Sequence, residues 1–109
     1  MWIIISDPDK DAENVLIVNV TSWRADKDQT CLVGPGDHPL IEHNSCINFH
    51  GSRVYPDQHL NWLFNGDKIV LHEPLSPAVL QRVREGAVLS PRMKLAHGQI
   101  LLAQGLVES

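Results

Sequence analysis

The chain has 109 residues, which is the length of one ordinary domain and too short for two independent cores. Apolar residues make up 43% and charged residues 20%, a composition that excludes a disordered chain, and the longest apolar runs are too short to cross a membrane as helices. The net charge of −4 is uneven: residues 1–74 hold 5 Lys or Arg against 11 acids and residues 75–109 hold 4 against 2, which excludes a broad phosphate-binding face.

Short strands are predicted over the first half of the chain. The opening run WIIIS and the later run NVLIVNVTSW are rich in β-branched residues and end in polar loops. A third run is predicted to return antiparallel to the second, and the last two are predicted to be separated by a turn at Gly51. Four or five short strands are predicted, within residues 2–6, 14–23, 30–34, 45–49 and 52–55. So many short strands within 55 residues predict a small barrel or a strongly curled sheet.

Helices are predicted after residue 55. Residues 57–64 follow a proline and carry apolar residues at helical spacing. Residues 77–86 follow the N-cap candidate Ser76 and end at Gly86, and residues 91–103 repeat this Ser-Pro opening and Gly closing.

Residues 68–73 permit either a last strand or an extended connection. We expect one domain, residues 1–109, with the sheet and one short helix in residues 1–74 and the other helices in residues 75–109.

Three histidines and a cysteine crowd residues 37–50, which read DHPLIEHNSCINFH. A metal site there could draw on Cys31, His38, His43, Cys46 and His50. The spacing lacks a second close ligand pair, and on a strand Cys46 and His43 would point to opposite faces. We therefore predict no structural metal and no cofactor.

The start of the chain has no basic segment or cleavage site of a signal peptide, and two cysteines do not form a secreted disulfide scaffold. These features predict a cytoplasmic protein without membrane association, with Cys31 and Cys46 reduced. Lys and Arg residues for a local RNA contact are available in both halves of the chain: Arg24, Lys27, Arg53, Arg82, Arg84, Arg92 and Lys94. Trp23 and Trp62 could stack on bases, although a Trp in such a domain more often anchors a core or an interface.

The order of these elements carries a resemblance. An apolar strand, a Val-rich strand that ends in Thr21-Ser22, a charged loop, and a strand that begins near Ser45 before an Arg-Val step resemble the PemK/MazF family of plasmid-maintenance and growth-inhibitor toxins. The resemblance covers about residues 2–60. It implies a mainly β fold with C-terminal helices, built on a small SH3-like barrel and often dimeric. It also implies a metal-independent endoribonuclease of single-stranded RNA that an antitoxin protein neutralises.

Residue by residue, the resemblance matches Thr21 and Ser22 to hydroxyls of the family's RNA site and Arg53 to the Arg of its Arg-Thr step. The family's catalytic Arg and Asp fall on Asn48 and His50, so the expected acid–base pair is not present. His50 with Arg53 could replace that pair, with Thr21 and Ser22 as donors. Together with Arg24 and Asn48, these residues form the predicted RNA site.

Two functions remain open from the sequence. The first is a PemK/MazF-like toxin that cleaves RNA by attack of the 2′-OH. The second is a non-catalytic small β-barrel that binds a protein or an oligonucleotide through the same face.

Overall fold

A computed structural model of the chain describes residues 2–64 and 75–108. Its elements in chain order are β1 (Trp2–Ile4), β2 (Val15–Ser22), β3 (Leu32–Val33), β4 (Ser45–Tyr55), α1 (Asp57–Phe64), α2 (Pro77–Leu89) and α3 (Leu95–Ala103). The strands form one antiparallel sheet in the order β1-β2-β4-β3, and the C-terminal helices follow as expected. The fold is mixed α/β rather than mainly β, because within the described residues α1, α2 and α3 together contain more residues than the four strands.

The first half of β2 is apolar on both sides because both faces of the sheet are covered there. Leu16 and Val18 belong to the main core, whereas Val15 and Ile17 pack with Leu60 of α1 on the opposite face. A strand covered on both faces has a continuous apolar sequence rather than an alternating one. The second half of β2 carries polar residues on the α1 side, so that end of the face is where a polar site can form.

Strand β4 is one element of 11 residues, so the predicted turn at Gly51 is wrong. Its pairing with β2 shifts register between Asn19, opposite Asn48, and Ile17, opposite Arg53. Residues 49–52 therefore bulge opposite a single residue of β2. Asn48 Oδ1 accepts a hydrogen bond from the Gly51 N–H at 3.3 Å, and this bond closes the bulge.

The third strand pairs with β4 and not with β2, contrary to expectation. Leu32 lies opposite Cys46 and Val33 lies opposite Ser45. The physical reason is that the long strand β4 already occupies the side of β2 that β1 leaves open. β3 is thus an edge strand beside the start of β4.

The helices confirm two predicted starts and correct one. α1 has the predicted bounds, and Ser76 Oγ accepts from the Val79 N–H at 3.3 Å as the N-cap of α2. Residues 91–93 form a turn instead of opening α3, because Ser90 Oγ accepts the Arg92 N–H and the Ser90 carbonyl accepts the Met93 N–H. α3 ends at Ala103, and Gly105, two residues later, has a φ of 70° that lets the chain reverse.

The main core draws on the sheet, α2, α3 and the C-terminal segment. Its buried members are Ile3, Ile5, Leu16, Val18, Cys31, Val33, Ile41, Ile47, Phe49, Val83, Ala87, Leu101 and Val107. Within the described residues, no helix is both long and apolar enough to cross a membrane. The alternative strand at residues 68–73 lies outside the described residues.

Candidate functional site

Polar side chains collect at one end of the sheet, on the face opposite the main core. Val20 and Ile47 pack in that core, and alternation along paired strands places their neighbours Thr21, Cys46 and Asn48 on the other side. We call this side the outer face and define it by Asn19, Thr21, Cys46 and Asn48. The predicted site residues Thr21 and Asn48 therefore do come together.

A small cavity of about 110 Å³ opens on this outer face. We call it the Thr21 pocket. Its polar lining combines hydroxyl, amide, thiol, carboxylate and cationic groups, which come from Thr21, Lys27, Asp28, Cys46, Asn48 and Arg92. Two cations beside neutral hydrogen-bond donors form a site suited to a small anionic group.

Lys27 reaches the pocket because the loop after β2 folds back on the strand. The Lys27 N–H donates to the Arg24 carbonyl at 3.0 Å, which closes a turn. Lys27 Nζ then donates to Thr21 Oγ1 at 2.7 Å. The Arg24 side chain is exposed at this turn and does not line the pocket. Arg24 therefore positions the turn through its backbone.

Asp28 is buried beside the two cations, and its charge is satisfied by neutral donors. Thr30 donates to its Oδ1 from the backbone N–H at 2.9 Å and from Oγ1 at 2.5 Å, and Ser90 Oγ donates to Oδ2. Burial by itself would raise the pKa of Asp28, but these hydrogen bonds and nearby Arg92 hold that pKa below its usual value. The pocket therefore contains one carboxylate against two cations.

Cys46 and Asn48 differ in what they offer a ligand. Cys46 is 1% exposed and burial raises the pKa of its thiol, so it is a neutral wall of the pocket rather than a nucleophile. Asn48 Oδ1 is used in the bulge, which leaves its Nδ2 group as an N–H donor beside the pocket. Both cysteines are free thiols, as expected.

Ser22 does not line the Thr21 pocket, although the two residues both border another cavity. Ser22 Oγ and His43 Nε2 are 2.7 Å apart and form a hydrogen bond. These two residues line a cavity of about 180 Å³ together with Thr21 and the loop at residues 40–43. The pairing of Thr21 and Ser22 as joint donors stays a prediction, and in the structure the Ser22 hydroxyl bonds His43 instead of entering the Thr21 pocket.

His50 and Arg53 do not meet Thr21 in the way we expected. His50 is exposed within the bulge, two residues beyond Asn48. Arg53 is exposed and lies opposite Ile17, four residues along β2 from Thr21, or roughly 14 Å. A single phosphate at Thr21 would thus be out of reach of Arg53.

The candidate metal-ligand residues lie in different environments. Cys31 lies in the core, the His38 Nδ1 atom accepts the Leu40 N–H at 3.1 Å, and His43 bonds Ser22. Over residues 2–64 and 75–108, no group of three or more His, Cys, Asp or Glu side chains is arranged to hold a metal ion. The absence of a structural metal stays a prediction.

The sequence did not predict that Asp28, Cys46 and the Ser22–His43 pair line these cavities. It identified Lys27 and Arg92 only as cations available for a local RNA contact. The alternating charges of the loop ADKDQ at residues 25–29 were a usable signal. A loop with buried Asp and half-buried Lys must fold against the sheet.

No family model matches the chain, and comparisons with curated proteins and with solved structures found no match either.

Proposed function

We propose that this chain binds single-stranded RNA and holds one phosphate of the strand in the Thr21 pocket. The observation that carries this proposal is the convergence of Lys27 and Arg92 on a small cavity with Thr21 and Asn48. Charged donors bind phosphate oxygens strongly, and a threonine hydroxyl and an amide N–H add directional hydrogen bonds. The resemblance to PemK/MazF proteins supplies the class of ligand. Because the chain carries a net charge of −4, we expect the contact to be local.

Binding of a fluorescent single-stranded RNA oligonucleotide, followed by anisotropy at low salt, tests the proposal. Lys27→Gln removes a charge-assisted contact and should weaken binding by about tenfold. Arg92→Gln should act similarly. Lys10→Gln is the matched control, because Lys10 is exposed at the opposite end of β2 and donates to the Gln104 carbonyl.

Wild-type protein that does not bind RNA, or a Lys27→Gln variant that binds as tightly as the wild type, would overturn the proposal. Circular dichroism spectra should match among all variants, so that loss of affinity is separated from loss of folding.

RNA cleavage of the PemK/MazF kind is the second candidate function. It is favoured by one observation: Thr21 and Asn48, two positions that the resemblance assigns to the RNA site, line the same pocket. In such a reaction the 2′-oxygen bonds to phosphorus as the bond to the 5′-oxygen breaks, leaving a 2′,3′-cyclic phosphate and a 5′-hydroxyl. With this function we also propose the SH3-like barrel, a homodimer, an antitoxin partner and a cytoplasmic location.

Incubation of RNA with the protein separates the two candidates. Cleavage that requires His50 and Arg53, tested by replacing each with Ala, supports the toxin. Binding without cleavage supports the non-catalytic module.

A further inference from the structure

Another cavity, of about 410 Å³, lies at the end of the β2–β4 pairing, where Trp23 and Asn44 meet. Its lining includes the exposed side chains of Trp23, Leu32 and Asn44. Trp23 is 43% exposed and Leu32 is 50% exposed. A large exposed indole beside a cationic pocket is a candidate surface for binding a ligand.

Strand pairing places part of the lining of this cavity on the outer face, while Val33 and Ser45 border it from the core side. The Trp23 N–H donates to the Asn44 carbonyl at 3.2 Å, which continues the β2–β4 pairing one step beyond Ser22 and Ser45. Alternation then puts Trp23 and Asn44 on the side of Thr21 and Cys46. Leu32 lies opposite Cys46 and belongs to the same side. Trp23 and Leu32 therefore lie on the same face as the Thr21 pocket, with Trp23 two residues, or roughly 7 Å, from Thr21.

The chemistry of this cavity suits a nucleobase. An exposed indole offers a flat stacking surface, and the Asn44 carboxamide provides both a donor and an acceptor for a base edge. Asp37 also lines the cavity, but its carboxylate accepts from the Gly34 N–H at 2.8 Å and pairs with Arg82 at 3.3 Å. Its charge is thus partly neutralised and weakly opposes an approaching nucleotide.

Resting on the proposed RNA binding, we infer that one base of the bound strand stacks on Trp23 while a phosphate of the same strand occupies the Thr21 pocket. The spacing lets one nucleotide reach both. A protein partner fits less well, because the apolar surface consists of two side chains beside cations rather than an extended patch.

The test compares two probes, a single-stranded RNA oligonucleotide and an abasic oligonucleotide with the same ribose–phosphate backbone. Trp23→Ala should weaken binding of the RNA by roughly 5- to 100-fold and leave binding of the abasic probe unchanged. Trp23→Phe should restore most of the affinity, because a benzene ring also stacks. Leu89→Ala is the control, since Leu89 is 74% exposed on α2 and lines neither cavity.

The possible outcomes separate this inference from the function on which it rests. If Lys27→Gln loses RNA but Trp23→Ala binds RNA normally, the stacking site is wrong and the phosphate site stands. If Trp23→Ala loses both probes equally, Trp23 acts through the fold and the inference is overturned. If Trp23→Ala changes only the oligomeric state in sedimentation, the surface is a protein interface. If neither probe binds wild-type protein, both proposals fail.

Discussion

Gly86 has a different role in the structure from the one that the sequence predicts. In the sequence it predicts the end of α2, because glycine commonly follows the last helical turn. In the structure α2 continues to Leu89, and Gly86 faces the core. A Cβ atom at this position would lie 3.0 Å from Cys31 Cβ and 3.1 Å from the ring of Phe49. Glycine at this position therefore allows the helix to pack closely against the sheet.

Replacing Gly86 with Ala should lower the free energy of unfolding by about 1 kcal/mol, because crowding of the buried Phe49 ring outweighs the better helix propensity of Ala. Gly98→Ala is the matched control within α3. Its added Cβ would come no closer than 4.0 Å to the Ala87 carbonyl, so it should stabilise by about 0.5 to 1 kcal/mol. Urea denaturation measures both, and a stabilised Gly86→Ala variant would contradict the packing argument.

At the scale of elements, α3 is attached to β4 through a buried polar contact. Ser52 is 0% exposed, and its Oγ lies 2.7 Å from His97 Nδ1. Burial lowers the pKa of His97, and the charges of Lys94 and Arg53 lower it further. The folded protein thus disfavours the protonated imidazole at the point where the helix meets the sheet.

Stability should consequently fall in mild acid. An unfolded His has a pKa of about 6.5 and His97 in the folded protein has a lower one, so the unfolded chain binds more protons as the pH falls below about 6.5. The contribution of His97 is present above that pH and is lost as the pH falls towards the folded pKa. Between about pH 7.5 and 5.5, wild-type protein should lose more free energy of unfolding than His97→Gln. His50→Gln, which removes an exposed imidazole, should behave like the wild type; equal losses in all three proteins would refute the prediction.

Element types were predictable from the sequence wherever local signals agree with tertiary packing. The apolar β-branched run of β2 and the Ser76-Pro77 opening of α2 are such cases. The continuity of β4 was not predictable, because Gly51 indicates a turn when only its neighbours in the sequence are considered. Only the Asn48 side chain explains it: a Cβ at Gly51 would lie 2.7 Å from Asn48 Nδ2. A close approach between a side chain and the backbone produces no pattern of residue spacing from which it could be predicted.

For the whole molecule, charge limits what the outer face can bind. The chain carries a net charge of −4, yet Lys27 and Arg92 converge on one pocket. The sequence identified these cations and the resemblance identified Thr21. Neither predicts how the loop at residues 25–29 folds to bring them together. The sequence also could not show that Ser22 bonds His43, since that contact depends on how the loop at residues 40–43 folds.

The salt dependence of RNA binding should be weak. With about two phosphates neutralised, the slope of log Kobs against log salt concentration should be about −1.4, and Lys27→Gln should make it shallower by about 0.7. Anisotropy titrations at several salt concentrations measure the slope. A wild-type slope of about −4 or steeper would indicate a broad cationic surface, contrary to the charge distribution.

The bulge in β4 also determines how the chain tolerates changes in its length. Residues 46 and 48 face outward before the bulge, and Arg53 and Tyr55 lie opposite outward-facing residues of β2 after it, so the outward positions change from even to odd numbers. Loss of one residue within 49–52 would leave four steps of β4 opposite two of β2, so a regular strand could keep its faces only by shifting its register by two residues. Loss of three would restore a regular ladder but would remove at least one of the buried residues Phe49 and Ser52, the second of which bonds α3. Natural variation in loop length is therefore expected to avoid this segment, although it lies next to an exposed surface and reads in the sequence as an ordinary turn.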